Sequence, residues 1–314
     1  MKLFGLSQTR GFAHRLARRL GVGVAPLEER EFDDGEFKLR PLESVRGERV
    51  AVCQSLAADG RSSSADKLVR LLVFCGALKD AGADRVTAVV PYLAYWRKDR
   101  RTQPRDPVTT SYVARLVEAV GIDVVVTIDV HSIATFENAF RCRKEHLRAA
   151  PAFADHFARR FDGESRVVVL SPDAGGAERA RVFAGLLSNQ GLENVELAFM
   201  EKRRSGGRVS GGLFAGDAAD AVVVIYDDMI STGATVARAV QAAVAHGARA
   251  VHCAATHGLF SGDAVATLNG VPLASLAVAD TVEDVADRCA QLRCEHAVID
   301  SAALFAEALA HADR

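Results

Sequence analysis

The chain has 314 residues, 49% hydrophobic and 25% charged, enough apolar surface for one large core or two ordinary ones. Its 39 basic and 40 acidic side chains leave a formal net charge of -1, which points away from a general binder of nucleic acid or membrane surfaces. The six cysteines form no CxxC pair, so a reducing cytoplasm is expected rather than a disulfide framework. The amino-terminal "MKLFGLSQTR" has too short an apolar run for a signal peptide. No stretch approaches the ~18 apolar residues of a membrane span.

In chain order, "FDDGEF" (32–37) reads as a solvated turn between two strands. Buried strands are expected at "RVAVCQSL" (49–56), "RVTAVVPY" (85–92), "VVVTIDVHS" (124–132), "RVVVLSPD" (166–173), "AVVVIYDD" (221–228) and "AVHCAATHG" (250–258). Each is nearly continuous in Val, Ile and Ala, the pattern of a parallel sheet covered on both faces. Helical patterns lie between them. Leu68, Leu71, Leu72 and Cys75 fall at i, i+3, i+4 and i+7, and Val236, Val240 and Val244 fall four apart. Alternating strands and helices imply an α/β fold with mostly parallel sheets and right-handed crossovers.

Two segments, "AGADRVTAVVP" (81–91) and "HGARAVHCAAT" (246–256), share the order helix end, Gly-Ala, strand. Half a chain apart, they suggest two similar domains, 1–147 and 148–314, with the boundary near the charged "RCRKEHLRAAP". The final "SAALFAEALAHADR" reads as a terminal helix.

The segment "VVVIYDDMISTGAT" (222–235) carries the most chemistry. A buried strand runs into Asp227 and Asp228, and ligands of parallel sheets sit beyond such carboxyl ends. Ser231, Thr232, Gly233, Ala234 and Thr235 then enter a helix, where backbone N–H groups and hydroxyls suit a phosphate. Carboxylates for vicinal hydroxyls beside a phosphate loop fit a sugar phosphate. The alternative is an ordinary N-capped helix behind two exposed acids.

This segment resembles the phosphoribosyl-diphosphate loop of the type I phosphoribosyltransferase fold. The rest of the chain is similar to the ribose-phosphate pyrophosphokinases (PRPP synthetases) through "FDDGE" (32–36), "ESVRG" (43–47), "ALKDAGADRVTAVVPYLAYWRKDRR" (77–101), "TIDVHS" (127–132), "SPDAGGAERA" (171–180), "EKRR" (201–204) and "THGLFSGDA" (256–264). The resemblance implies two tandem phosphoribosyltransferase-like domains. It also implies transfer of the pyrophosphoryl group of Mg-ATP to the 1-hydroxyl of ribose 5-phosphate, giving PRPP and AMP, in a cytoplasmic homo-oligomer of two to six chains with neither nucleic acid nor membrane as partner. Carried over residue by residue, Phe32, Asp34 and Glu36, lent by a neighbouring subunit, bind ATP with Arg97, Lys98 and His131. His131 and Asp173 contact Mg²⁺. Asp173, Ala174, Gly175 and Gly176 form the pyrophosphate loop. Asp227, Asp228 and residues Ser231 to Thr235 hold ribose 5-phosphate. Lys202 and Arg204, at the root of a stretch with five glycines between 206 and 216, are the catalytic cations, and the stretch is expected to be a mobile lid. Ser44, Arg46 and Arg105 match positions of a regulatory phosphate or ADP site, although the C-terminal tail matches that site poorly.

Three positions depart from the family. Lys98 stands where Gln is usual, and its charge is expected either to contact phosphate or alter nucleotide choice, or to point to solvent or to an acid such as Asp99. Ser231 replaces a usual acid. Ala234 replaces a usual Gly, which requires helical dihedrals there. Two other functions remain open: a catalytically silent subunit associated with a synthetase, and a transferase that consumes PRPP.

Overall fold

The computed structural model describes residues 1–205 and 208–312, with side chains described outside 201–212 and 312. The chain forms two units. The first comprises Met1–Leu147 with Thr281–Glu283 and Asp300–Arg314, and the second Arg148–Asp280 with Asp284–Ile299.

In the first unit, β1 (Lys2–Gly5), β4 (Arg49–Cys53), β5 (Arg85–Val90), β6 (Val124–Ile128) and β7 (Arg143–Leu147) make a wholly parallel sheet in the order β1-β4-β5-β6-β7. Helices α1 (Arg10–Leu20), α2 (Ser64–Asp80), α3 (Thr109–Ala119) and α4 (Ile133–Ala139) connect them. A capping box starts α2, with Ser63 and Asp66 satisfying each other's amides. An antiparallel hairpin, β2 (Leu27–Glu31) and β3 (Phe37–Pro41), stands outside the sheet. Arg70 of α2 ties it down: its guanidinium lies 3.6 Å from Glu29 and 3.1 Å from Glu31 and covers the Phe37 ring at 4.5 Å.

The terminal helix α10 (Ala302–Ala312) belongs to this first unit. Phe305 packs edge-on against Phe12 of α1 at 5.3 Å, Arg19 pairs with Asp300 at 2.7 Å, and Glu283 accepts the Gly11 amide at 2.7 Å. The amphipathic pattern announces a helix but not the groove it fills.

The second unit holds α5 (Ala150–Arg160), β8 (Val167–Ser171), α6 (Ala177–Asn189), β9 (Val195–Ser205), β10 (Arg208–Ala215), β11 (Val222–Ile230), α7 (Ala234–Ala245), β12 (Ala250–Gly258), α8 (Ala264–Asn269), β13 (Ser275–Ala279), α9 (Val285–Cys289) and β14 (Glu295–Ile299). Its seven strands run in the order β10-β9-β8-β11-β12-β13-β14. Every neighbouring pair is parallel except β9 with β10. Part of the glycine-rich stretch expected to be a loop thus runs as β10. From β8 the chain moves outward to β9, and from β11 it moves the opposite way to β12. The sheet therefore has its topological switch point between β8 and β11, where α/β sheets open a ligand crevice. No helix among the described residues is long and apolar enough to cross a membrane.

Candidate functional site

β8 and β11 pair only as far as Leu170 and Ile225. Beyond that register β11 continues beside β12 alone, and the chain after β8 turns away. The divergence places Asp173–Gly176 and Asp227–Thr235 at the carboxyl ends of the two strands that flank the switch point.

After β8 the backbone makes one turn of 3₁₀-helix over Ala174–Gly176. Asp173 caps it, with Oδ1 accepting the Gly176 amide at 3.1 Å, and the Ser171 hydroxyl donates to the Asp173 carbonyl at 2.7 Å. Gly176 has no room for a side chain, since a Cβ would stand 2.7 Å from Ser171 Oγ. Helix α6 follows directly, so the turn also serves as its entry.

At the end of β11, Asp228 is buried and Asp227 nearly so. The Asp228 amide donates to Asp227 Oδ1 at 2.8 Å. Arg179 Nη1, from the first turn of α6, lies 3.0 Å from Asp227 Oδ1 and 3.5 Å from Asp228 Oδ1. Burial, then the adjacent Asp228, push the Asp227 carboxyl above its ordinary range, and Arg179 opposes them. Arg179 is quoted within "SPDAGGAERA", yet sequence reading gave it no role. The available signal was its place three residues after Gly176, in the first turn of the helix leaving that loop.

The loop after Asp228 reaches α7 through Gly233, which has φ +75. A Cβ there would also stand 3.2 Å from the Ala264 carbonyl and from Leu268, so glycine is required twice over. Ala234 opens the helix, which gives it the helical conformation its Cβ demands. No side chain caps α7, so its first-turn amides are available to an anion. The Ser231 carbonyl is held by the Ser261 amide at 2.8 Å, and Thr235 Oγ1 accepts from Arg238 at 3.3 Å. Thr232 is exposed.

The remaining candidates other than Lys202 and Arg204 lie in the first unit. Asp129 takes φ +41 before an exposed His131, with its amide bonded to the Leu147 carbonyl at 3.0 Å and the Val130 amide donating to His146 Nε2 at 3.2 Å. The neighbouring strand β7 thereby fixes the turn that presents His131. Trp96 stacks on Phe140 at 5.4 Å and meets Phe136 edge-on at 6.0 Å, both on or just after α4. This buried indole joins the Arg97 segment to the helix that follows His131, and sequence reading did not single it out. Arg97 is exposed.

Lys98 does not stand ready for a phosphate. Its ammonium pairs with Asp106 and lies 2.9 Å from Thr102 Oγ1. Asp106 also accepts the amides of Thr102 and Gln103 at 3.0 and 2.9 Å. Lys98 and then Thr102 hold its carboxyl well below the usual range. In this structure the ammonium thus clasps its own loop.

Phe32, Asp34 and Glu36 form the exposed turn between β2 and β3, as the solvated reading has it. Asp34 Oδ1 accepts the Glu36 amide at 3.1 Å and Arg30 covers the Phe32 ring at 4.9 Å. Ser44 and Arg46 are exposed and joined by a 3.4 Å bond, while Arg105 is exposed at φ +69. The side chains of Lys202 and Arg204 lie outside the described residues, as do Gly206 and Gly207. The cysteines are free, and burial pushes the thiols of Cys53, Cys75 and Cys253 far above their ordinary range, as expected of small core residues.

Residues 1–121 match the N-terminal domain of ribose phosphate pyrophosphokinase, and residues 145–264 match the phosphoribosyl transferase domain. The chain is 34% identical over 308 residues to ribose-phosphate pyrophosphokinase 1 of Streptococcus pneumoniae, covering 96% of this chain and 92% of that protein. It is 34% identical over 286 residues to the protein of the same name from Streptococcus mutans, covering 90% and 85%. The crystal structure of phosphoribosylpyrophosphate synthetase from Mycobacterium smegmatis superimposes with a TM-score of 0.90 at 30% identity, covering 99% of this chain and 98% of that one.

Proposed function

We infer the chemistry of this chain from its family: it belongs to the ribose-phosphate pyrophosphokinases and is an enzyme of that class. It transfers the pyrophosphoryl group of ATP to the 1-hydroxyl of ribose 5-phosphate, giving PRPP and AMP. The observation that carries the reading at the level of residues is the switch point of the second unit. Two loops of different chemistry, Asp173–Gly176 and Asp227–Thr235, leave adjacent strands there.

In this reading Asp227 and Asp228 accept the ribose hydroxyls. Residues Ser231 to Thr235 and the first-turn amides of α7 hold the 5-phosphate. The turn Asp173–Gly176 receives the diphosphate. Arg97 and His131 meet the triphosphate, and Phe32, Asp34 and Glu36 of a second copy meet the adenine. The 1-hydroxyl attacks the β-phosphorus as the bond to the α-phosphate oxygen breaks, and no covalent enzyme intermediate is required. The protein positions the two substrates, excludes water and compensates charge, the last through Lys202 and Arg204.

Mg²⁺ suits the donor set. This ion takes few protein ligands and keeps water and phosphate oxygens. Asp173, half-buried at the mouth of its turn, and exposed His131 would hold it. When bound it neutralises phosphate charge. The domains divide the labour, with nucleotide groups in 1–147 and the two loops in 148–314. A cytoplasmic homo-oligomer, a dimer at least, completes the reading; Ser44, Arg46 and Arg105 bind a regulatory phosphate or ADP.

Incubation with ATP, ribose 5-phosphate and Mg²⁺ tests it, with AMP and PRPP measured together. A silent subunit yields neither product. An enzyme that consumes PRPP yields neither without PRPP and a base.

A further inference from the structure

Two carboxylates buried side by side repel each other, and at neutral pH such a pair tends to keep a proton. A pair that accepts sugar hydroxyls must be held in place against that repulsion. Three observations within the second unit bear on how this is done.

The Arg179 guanidinium touches both acids through one nitrogen, at 3.0 Å and 3.5 Å. Arg179 belongs to the helix that grows directly out of the Asp173–Gly176 turn, so its place is set by that turn. One helical turn further on, Phe183 stacks on Tyr226 at 4.2 Å with the rings 14° apart. Residues four apart share a helix face, and Tyr226 immediately precedes Asp227. The stack therefore locks the register of α6 against β11 and delivers Arg179 to the two acids.

We propose that Arg179 is a positioning residue that fastens the ribose-hydroxyl acceptors Asp227 and Asp228 to the helix of the pyrophosphate turn, so that acceptor and diphosphate sites form one rigid piece. The proposal rests on the reading of Asp227 and Asp228 as ribose-binding groups. Arg179 acts through Asp227 and Asp228 and not on the substrates: its charge opposes their mutual repulsion and keeps both carboxylates aimed. A lysine would supply charge but not the reach and fixed planar donors of a guanidinium. A glutamine would supply neither.

The test compares wild type, Arg179→Gln, Arg179→Lys and Asp228→Asn, with KM for each substrate, kcat and thermal melting measured on all four. Arg179→Gln is expected to raise KM for ribose 5-phosphate roughly 10–100-fold, the scale of losing a charge-assisted hydrogen bond, while KM for ATP moves less than about threefold. Arg179→Lys is expected to recover part of the loss. A folded Arg179→Gln enzyme with unchanged KM for ribose 5-phosphate overturns the proposal, as does equal weakening of both substrates. If Arg179→Gln does not fold, Arg179→Lys decides: a rise confined to ribose 5-phosphate supports the proposal, and no rise or an equal rise for both substrates overturns it. If Asp228→Asn leaves that KM unchanged, the ribose reading itself fails and takes this inference with it. A strong effect of Asp228→Asn beside a silent Arg179→Gln removes this inference alone.

Discussion

Gly176→Ala probes whether the turn after β8 is as tightly built as its geometry says. Backbone dihedrals are no obstacle, because Gly176 has φ -89. Space is the obstacle: the new Cβ would stand 2.7 Å from Ser171 Oγ. Ser171 is fully buried, and its hydroxyl donates to the Asp173 carbonyl at 2.7 Å. To admit the methyl, Ser171 must rotate and give up that bond, a loss of about 1 kcal/mol. Overpacking adds about 1–2 kcal/mol, and alanine in place of glycine returns up to about 1 kcal/mol. The net loss is about 1–3 kcal/mol, or roughly 2–12 °C in melting temperature for a domain of this size. Activity is expected to fall further, since the shifted turn carries Asp173, and kcat/KM for ATP is expected to drop on the order of tenfold to 100-fold. Urea melts and steady-state AMP formation measure the two effects. Ser171→Ala removes the atom the methyl strikes, so the double variant is expected to be more stable than the sum of the single changes. Wild-type stability and kcat/KM in Gly176→Ala, or strict additivity in the double variant, would refute the reasoning.

Four further outcomes are expected. Lys202→Ala or Arg204→Ala lowers kcat roughly 10²–10⁴-fold with little change in ribose 5-phosphate binding; near-normal kcat removes that residue from the mechanism. Lys98→Gln leaves the ranking of ATP, GTP and CTP by kcat/KM unchanged, because the ammonium is engaged by Asp106 and Thr102; a sharpened preference for ATP means the clasp opens toward the nucleotide. The Asp227 carboxyl is raised in the folded chain, so the folded state retains a proton that the unfolded chain loses. Stability therefore falls as pH rises from about 4 through the raised folded value. Asp227→Asn is expected to flatten that slope and melt higher than wild type at about pH 7 while binding ribose 5-phosphate worse, and an unchanged melting profile across that window counts against it. Mixing Phe32→Ala with Lys202→Ala chains restores part of the activity if sites are shared between copies; inactive mixtures of demonstrably hybrid oligomers exclude sharing.

The six apolar runs read from the sequence are parallel-paired strands of the two large sheets, because continuous Val, Ile and Ala suit a strand covered on both faces. Edge strands were harder to see. β7, "RKEHL", and β14, "EHAVI", lie largely at the solvent side of their sheets and carry the charge that protects an edge. Their composition therefore resembles loop. The fate of the terminal helix was not legible either. Its apolar face announces that it packs, but the partner, Phe12 on α1, lies almost 300 residues earlier. No local pattern encodes a contact of that sequence separation.

The same divide between local and distant information governs the site. The conformation of Ala234 was legible because its constraint is a backbone constraint, and the structure places it at a helix start. The partner of Lys98 was not legible because charge has no direction in a sequence. A lysine beside a nucleotide segment suggests phosphate, yet Asp106 lies eight residues on in a turn that brings the two together, and the nearer acid takes the ammonium. Arg179 was missed for the converse reason. It sits 48 residues before Asp227, and its significance appears only when β8 and β11 are neighbours. Both cases follow one rule: cations in this chain answer to the carboxylates that the fold brings to them. At Asp106 the result is a closed clasp within one loop. At Asp227 and Asp228 it is a tie between helix α6 and strand β11 at the switch point.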